Sequence, residues 1–398
     1  MSKLALHGGS AVNTEPWPRW PQWTEQEQDA LLGVLNSGVW GGFDATVKAF
    51  EDAFAARLEA KHCIAATNGT MTLEAALRAV DVGPGDEVIV PPYTFIATAN
   101  APRLVGATPV FVDIDINTFN LDMDAVDAAI TPRTKAIIPV HFAGLPVDMD
   151  RLLPLAAKHG IPVVEDAAHA HGSTWRGKPV GSLAQIGSFS FQASKNLTAG
   201  EGGALLTNDD TLFDRLWSYV NQGRTPGGAW YEHGNLGNNL RITGWQAAIL
   251  ASQLTRLDAQ LATRMANARR LLAFLDEVDG LTALEWDPRA EHHAFHLFIM
   301  RYDPAGFGGL PRDRFVAALS AEGVPCSTGY PMPLYAQPPL QEPFARITPC
   351  PATERACQEA IWLTQNMLLA EPAMIDRIAE AIIKVREHSE ELATGRRD

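Results

Sequence analysis

Between residues 62 and 207 the chain switches repeatedly between short β-rich runs and stretches of helical pattern, an order that few folds accommodate. The β-rich runs are CIAAT, EVIVPP, PVFVDI, KAIIPV, PVVEDA, SFSF and GALLT, with helical patterns over 70–81, 94–105, 122–130 and 150–159 separating the first five. Parallel neighbours cannot be joined by a tight turn, so helical crossovers of this kind predict a mostly parallel sheet covered by helices on both faces. The fold class is α/β.

The flanks extend this unit at both ends. A chain of 398 residues exceeds the size at which one hydrophobic core stops growing, which predicts one large domain and a smaller one. Residues 1–23 carry Pro16, Pro18 and Pro21 among three tryptophans and read as an extended arm that must pack on something. Thr24 and Glu27 form a capping-box pattern and Gly38 a stop, so 25–37 is a short amphipathic helix. The large domain then spans 24–242 and closes with a Gly/Asn-rich loop at 234–239. A long helical pattern over 243–276 reads as a connecting helix. Residues 277–398 read as a small α+β domain, with an aromatic strand in HAFHLFIMRY and helices near 311–322 and 372–389.

Composition narrows the function. A net charge of −14 disfavours nucleic acid or an anionic membrane as partner, because both demand clustered Lys and Arg. No apolar run approaches the roughly 18 residues of a membrane span, and the N-terminus lacks a signal-peptide pattern. Cys63, Cys326, Cys350 and Cys357 have neither disulfide-scaffold density nor zinc-ligand spacing. They read as core thiols, and the protein as cytoplasmic.

Ligands of parallel α/β sheets bind beyond the C-terminal ends of the strands, so the residues following each strand are the candidates. After the first strand, Asn68-Gly69-Thr70-Met71 opens a helix and looks like half of a phosphate cup; an ordinary capped glycine turn is the alternative. After the second, PPYTFIAT offers Tyr93 or Phe95 as a flat ring over a planar ligand, or simply as core. After the fifth, Asp166 leaves the sheet edge among small residues, which leave room for a flat cofactor; it could equally cap the next turn. His169 and His171 lack a third metal ligand at recognisable spacing, so no metal is expected. Glu291-His292-His293-Ala294-Phe295-His296 would present His292 and His296 together on a helix, but the following LFIMRY favours a metal-free strand edge.

The lysine in FSFQASKNLTAGEGG completes the set. Lys195 beside an anion cup, an aromatic lid and a carboxylate fits pyridoxal 5′-phosphate (PLP): lysine for a Schiff base, cup for phosphate, carboxylate for the protonated pyridine nitrogen. Together with NGT, PPYTFIAT, EDAAHAHG, GNNLRIT and the HGG near the start, this stretch resembles the DegT/DnrJ/EryC1/StrS aminotransferases over nearly the whole chain. The resemblance implies the aspartate-aminotransferase (type I) PLP fold. It also implies Lys195 as the Schiff-base lysine, Asp166 as the pyridine partner, and Phe95 and Ala168 on the two ring faces. Gly69, Thr70, the Met71 N–H and Ser190 would grip the phosphate, and His169 would lie behind the ring or near its phenolic oxygen. Asn239 would complete the phosphate site of a neighbouring subunit, so a homodimer is implied.

Gln192 in FSFQ is similar to the branch holding glutamine-dependent scyllo-inosose aminotransferases and 3-amino-5-hydroxybenzoate synthases, whereas many nucleotide-sugar aminotransferases carry His or Phe there. GYPMPLY places Tyr335 where many sugar enzymes have His, and Tyr330 precedes it in the same segment; with Gln192 these are the substrate candidates. The implied reaction moves an amino group from glutamine or glutamate to a keto-cyclitol, or alternatively to a nucleotide-linked keto-sugar, in secondary-metabolite (aminocyclitol, antibiotic) biosynthesis. A PLP-binding regulatory protein and a metal-dependent hydrolase are the rivals from other classes. A sugar dehydratase of the same family is disfavoured by Lys195, because those relatives replace the lysine.

Overall fold

The computed structural model describes residues 3–394. Strands β1 (His62–Ala66), β2 (Glu87–Val90), β3 (Thr108–Phe111), β4 (Thr134–Ile137) and β5 (Val164–Asp166) come first. A short hairpin, β6 (Thr174–Trp175) with β7 (Lys178–Pro179), precedes β8 (Ile186–Ser190) and β9 (Gly203–Thr207). The order β1-β9-β8-β5 continues, through bridges Ile137–Val163 and Val140–Asp166, into β4-β2-β3. Within this large sheet β9 alone runs against its neighbours, β1 and β8.

Helices cover both faces, as the alternation predicts. Gly69–Ala79, Ala97–Leu104 and Asp210–Val220 lie on the side where Val88, Val90, Ile186 and Leu205 are buried. Ala45–Arg57, Met123–Ala129, Met149–His159 and Gly244–Leu254 pack on the side of Ile89, Val110, Phe189 and Leu206. Each such fully buried side chain contributes about 1.5–3 kcal/mol. Two of these helices, Ala45–Arg57 and Asp210–Val220, were not anticipated from the sequence. Asp44 and Asp209 cap them by accepting backbone N–H bonds, and Val47, Phe50 and Phe54 mark the buried face of the first at helical spacing. The second predicted helix starts later than expected, at Ala97, which leaves Tyr93 to Ile96 as a turn beyond β2.

The C-terminal part carries an antiparallel sheet of β10 (Leu281–Ala283), β11 (Leu297–Tyr302) and β13 (Ala360–Thr364), backed by Leu257–Leu275, Arg312–Ala321 and Pro372–Glu387. Three expectations are corrected here. The 243–276 helix is two helices, Gly244–Leu254 and Leu257–Leu275, parted at Thr255 and Arg256, where the Arg256 guanidinium pairs with Glu27. Residues 291–296 are neither helix nor strand: the His293 ring stacks on Phe295 at 3.7 Å between centroids, and the strand begins only at Leu297. Finally, β12 (Arg346–Ile347) leaves the C-terminal part and pairs in parallel with β3, extending the large sheet.

The N-terminal arm packs on the C-terminal part. Glu322, fully buried, accepts from the N–H groups of Ala5 (2.8 Å) and Val12 (3.1 Å) and from Lys384 Nζ (2.8 Å), which also donates to the Ser10 carbonyl. Gly323 has φ +88°, and a Cβ there would lie 1.9 Å from the Asn13 carbonyl oxygen, so only glycine lets the arm approach this closely. Glu322→Ala strands a buried ammonium and two N–H donors. It is expected to cost about 3–5 kcal/mol of stability, read by denaturant unfolding; a loss below about 1 kcal/mol would contradict the clamp.

Candidate active site

The C-terminal ends of β1, β2, β5 and β8 open on one cavity of about 1100 Å³, closed by Trp20 from the arm and by Tyr330, Trp362 and Gln365 from the C-terminal part. The sequence-predicted residues Gly69, Thr70, Met71, Phe95, Asp166, Ala168, His169, Ser190, Gln192, Lys195 and Tyr330 all line it.

Lys195 follows β8 on a turn pinned at several points. Its own N–H donates to the Gln192 carbonyl (2.9 Å) and Trp20 Nε1 donates to its carbonyl (3.1 Å). Asn196 Nδ2 anchors the next residue to the Ala294 carbonyl (2.7 Å), and Thr198 Oγ1 donates back to the Phe191 carbonyl (3.0 Å). Desolvation pushes the Lys195 pKa down to about 8, against the opposing pull of the Asp166 carboxylate.

Asp166 ends β5 and is buried. Desolvation raises its pKa, while the Thr98 hydroxyl (2.8 Å to Oδ2), the Ala168 N–H (3.2 Å to Oδ1) and the Lys195 charge favour the ionised form. Its backbone is held on both sides: its N–H donates to the Pro139 carbonyl and its carbonyl accepts from the His141 N–H. Beside it Glu165, with no exposed surface, accepts from the N–H groups of Gly181, Leu183 and Ala184 and contacts His141 Nε2 at 3.0 Å. His169 is held well below its ordinary pKa by burial and by the Lys195 charge, so it is neutral; its ring lies 4.2 Å from that of His296.

The start of helix Gly69–Ala79 forms an anion cradle, and here one expectation changes. The Met71 N–H is taken by Asn68 Oδ1 at 2.9 Å, so the donors left without a protein acceptor among the described residues are those of Gly69 and Thr70. Ser190 faces them: a Cβ on Gly69 would lie 2.7 Å from the Ser190 Cβ. The Gln192 amide is half engaged already, because its Oε1 accepts from both the N–H (2.9 Å) and the hydroxyl (2.8 Å) of Ser194. Its Nε2 is what remains for a ligand.

Tyr335 is not brought to the cavity. Its hydroxyl donates to Glu354 (3.2 Å) and its ring meets Phe111 edge-on, so the substrate expectation is withdrawn for it. Asn239 lies on the exposed surface outside the cavity, its backbone bridged to Asn221. Phe95 stands at the rim with 57% of its surface exposed. Sequence reasoning missed Thr98, Trp20 and Gln365. Thr98 had a signal, sitting four residues after Thr94 inside PPYTFIAT with its hydroxyl 3.2 Å from that of Thr94; Trp20 and Gln365 are brought in from the two ends of the chain with no local cue. Among the described residues no three His, Cys, Asp or Glu side chains converge as a metal site, and no helix is long and apolar enough to cross a membrane.

The model of the DegT/DnrJ/EryC1/StrS aminotransferase family matches residues 21–383. The chain belongs to this family. It is 39% identical to the L-glutamine:2-deoxy-scyllo-inosose aminotransferase of Streptoalloteichus tenebrarius, over 98% of this chain and 99% of that one. The crystal structure of 3-amino-5-hydroxybenzoic acid synthase superposes with a TM-score of 0.88 at 38% identity, covering 94% of this chain and 99% of that one. NtdA of Bacillus subtilis, solved with bound pyridoxamine phosphate, gives a TM-score of 0.82 at 29% identity, covering 91% and 82%. The family's fold, aminotransferase activity and PLP dependence therefore hold for this chain. The side chains fit that cofactor: free N–H donors and a hydroxyl for a phosphate, a buried carboxylate for a ring nitrogen, and a low-pKa amine for an aldehyde. Gly69→Ala, which pushes a methyl group into Ser190, is expected to weaken PLP binding at least tenfold with the fold intact, checked by absorbance titration of the cofactor-free protein; unchanged affinity would move the phosphate site elsewhere.

Proposed function

We propose that this aminotransferase transfers an amino group from L-glutamine to a ketone on a cyclitol or sugar, acting as a cytoplasmic homodimer in the biosynthesis of an aminocyclitol-type secondary metabolite. The observation that carries the reading is the convergence in one cavity of the Lys195 amine, the Asp166 carboxylate and the Gly69–Thr70–Ser190 cradle. When bound, PLP supplies an aldehyde carbon that takes up the amino group and a ring that draws electrons from the donor's α-carbon.

The protein's own groups do the rest. At a pKa near 8, Lys195 Nζ releases its proton far more readily than a surface lysine, which suits it to attack a carbonyl carbon and, when free, to carry a proton. Asp166 is oriented by Thr98 and Ala168 to accept a hydrogen bond from a protonated ring nitrogen, an ionic bond worth about 1.5–3 kcal/mol. Phe95 and Ala168, which both line the cavity, would bound the two ring faces. Gln192 offers N–H donors to a hydroxyl or carbonyl oxygen, and Tyr330, held edge-on by Tyr93 and Trp362, walls the same space.

Glutamine as donor and a cyclitol-like ketone as acceptor are supported by the S. tenebrarius relative and by FSFQASKNLT in this chain. A shared active site is supported by outward-facing Asn239 and by the exposed Phe43, Trp230, Tyr231 and Leu236, apolar surface of the kind that marks subunit contacts. The four cysteines are free thiols, in keeping with a reducing compartment.

Lys195→Ala is expected to lose the visible absorbance of bound cofactor while keeping its far-ultraviolet dichroism; a retained band removes Lys195 from this role. In the wild type, cofactor capture by the apoprotein should accelerate with pH through a midpoint near 8 rather than near 10.5, because the reacting form is the neutral amine. Asp166→Asn should lower turnover on glutamine and a panel of keto-cyclitols at least tenfold more than it weakens cofactor binding, measured by mass spectrometry and absorbance titration. Amination of nucleotide-linked keto-sugars alone would overturn the acceptor assignment.

A further inference from the structure

Arg264, on helix Leu257–Leu275, has no exposed surface, and no Asp or Glu pairs with it among the described residues. Its Nε (3.0 Å) and Nη2 (2.5 Å) both donate to one atom, Gln365 Oε1. Its guanidinium lies 5.3 Å from the centre of the Trp20 ring, and its Nη1 has no partner. A desolvated cation that has a neutral amide and an indole against it, and the imidazoles of His171 and His296 nearby, both kept uncharged by burial, is costly, and such sites gain stability when an anion supplies the missing charge.

The two bonds also fix the amide. Two N–H donors cannot face an NH₂ group, so Oε1 points to Arg264 and Nε2 points away from it. Gln365 lines the cavity, and its Nε2 meets no acceptor among the described residues. Its neighbours are already engaged: Asn366 donates to the Pro18 carbonyl (2.7 Å) and accepts from the Thr364 hydroxyl (2.7 Å). Gln365 thus offers donors alone, with an uncompensated positive charge behind them. A polyhydroxy ketone is neutral and brings donors as well as acceptors, whereas an amino acid brings a carboxylate, which only accepts. The site is also at the right end of the cavity: Trp20, on which Arg264 rests, donates to the Lys195 carbonyl, while the phosphate cradle lies at the start of helix Gly69–Ala79.

We propose that Gln365, its amide oriented by Arg264, binds the α-carboxylate of the amino donor. This rests on the aminotransferase reading above. Gln365 is the specificity-determining group and Arg264 a positioning residue acting through it.

The test uses two probes that cannot be transaminated: 4-carbamoylbutanoate, which is glutamine without its α-amino group, and its neutral counterpart pentanediamide. Calorimetric titration of the holoenzyme should show tighter binding of the carboxylate. Gln365→Leu should weaken it roughly tenfold or more and leave the diamide nearly unaffected. Gln365→Glu supplies the missing countercharge to Arg264, so it should melt no lower than wild type and yet lose the preference for the carboxylate, a combination that a merely structural role would not produce. Arg264→Lys, which keeps the charge and loses the fork, should fall between. Equal binding of the two probes by wild type, or an unchanged preference in both Gln365 variants, would overturn the proposal. Because neither probe carries an amino group, these results are independent of the Lys195→Ala spectrum, whose failure would instead remove the catalytic reading.

Discussion

Keeping an amine partly neutral requires taking it out of water without giving it a full ionic partner at contact distance. Lys195 meets that requirement because its backbone is tied down by bonds from Trp20 and to the Gln192 carbonyl, while the neighbouring Asn196 anchors to Ala294. Each of these partners comes from a different part of the chain. The arm, the turn after β8 and the segment before β11 must all be in place before the side chain has its environment. The same logic applies to Asp166, whose two oxygens are claimed by Thr98 and Ala168 while its own backbone bonds to residues beyond β4. The chemistry is therefore set less by the two titratable groups than by the neutral groups that aim them.

Buried charge elsewhere is handled in two contrasting ways. Glu322 is fully satisfied, with two N–H donors and the Lys384 ammonium, and it works as a structural knot holding the arm. Arg264 is left electrostatically incomplete at the cavity wall. The first ion ties two segments of the chain together, whereas the second leaves a positive charge that an anionic ligand would complete.

Most of the fold was legible because its signals are local. Alternating runs gave the strands of the large sheet in order, and the capping box at Thr24 with Glu27 gave the first helix. The motif residues at the strand ends gathered as expected because parallel sheets put all such ends on one edge. What escaped was non-local or atomic in scale. A two-residue strand such as β12 has no periodicity to read, and at the break at Thr255 and Arg256 the charged side chain pairs with Glu27, more than 200 positions away. Hydrogen-bond occupancy is also invisible in a sequence. Asn68 takes the Met71 N–H and Ser194 takes the Gln192 oxygen, and each changes which atom remains for a ligand.

The pairing of β12 with β3 has a bearing on the order in which the protein can assemble. Arg346 sits opposite Val110, and the Thr348 hydroxyl donates to the Phe111 carbonyl, so the outer edge of β3 gets its partner only after most of the chain has left the ribosome. Until then an apolar strand presents unpaired N–H and C=O groups, the arrangement on which edge-to-edge association starts. The polypeptide thus carries its own late-arriving cover for that edge, and a nascent chain halted before residue 346 is a sticky intermediate even though every strand ahead of it can already be paired.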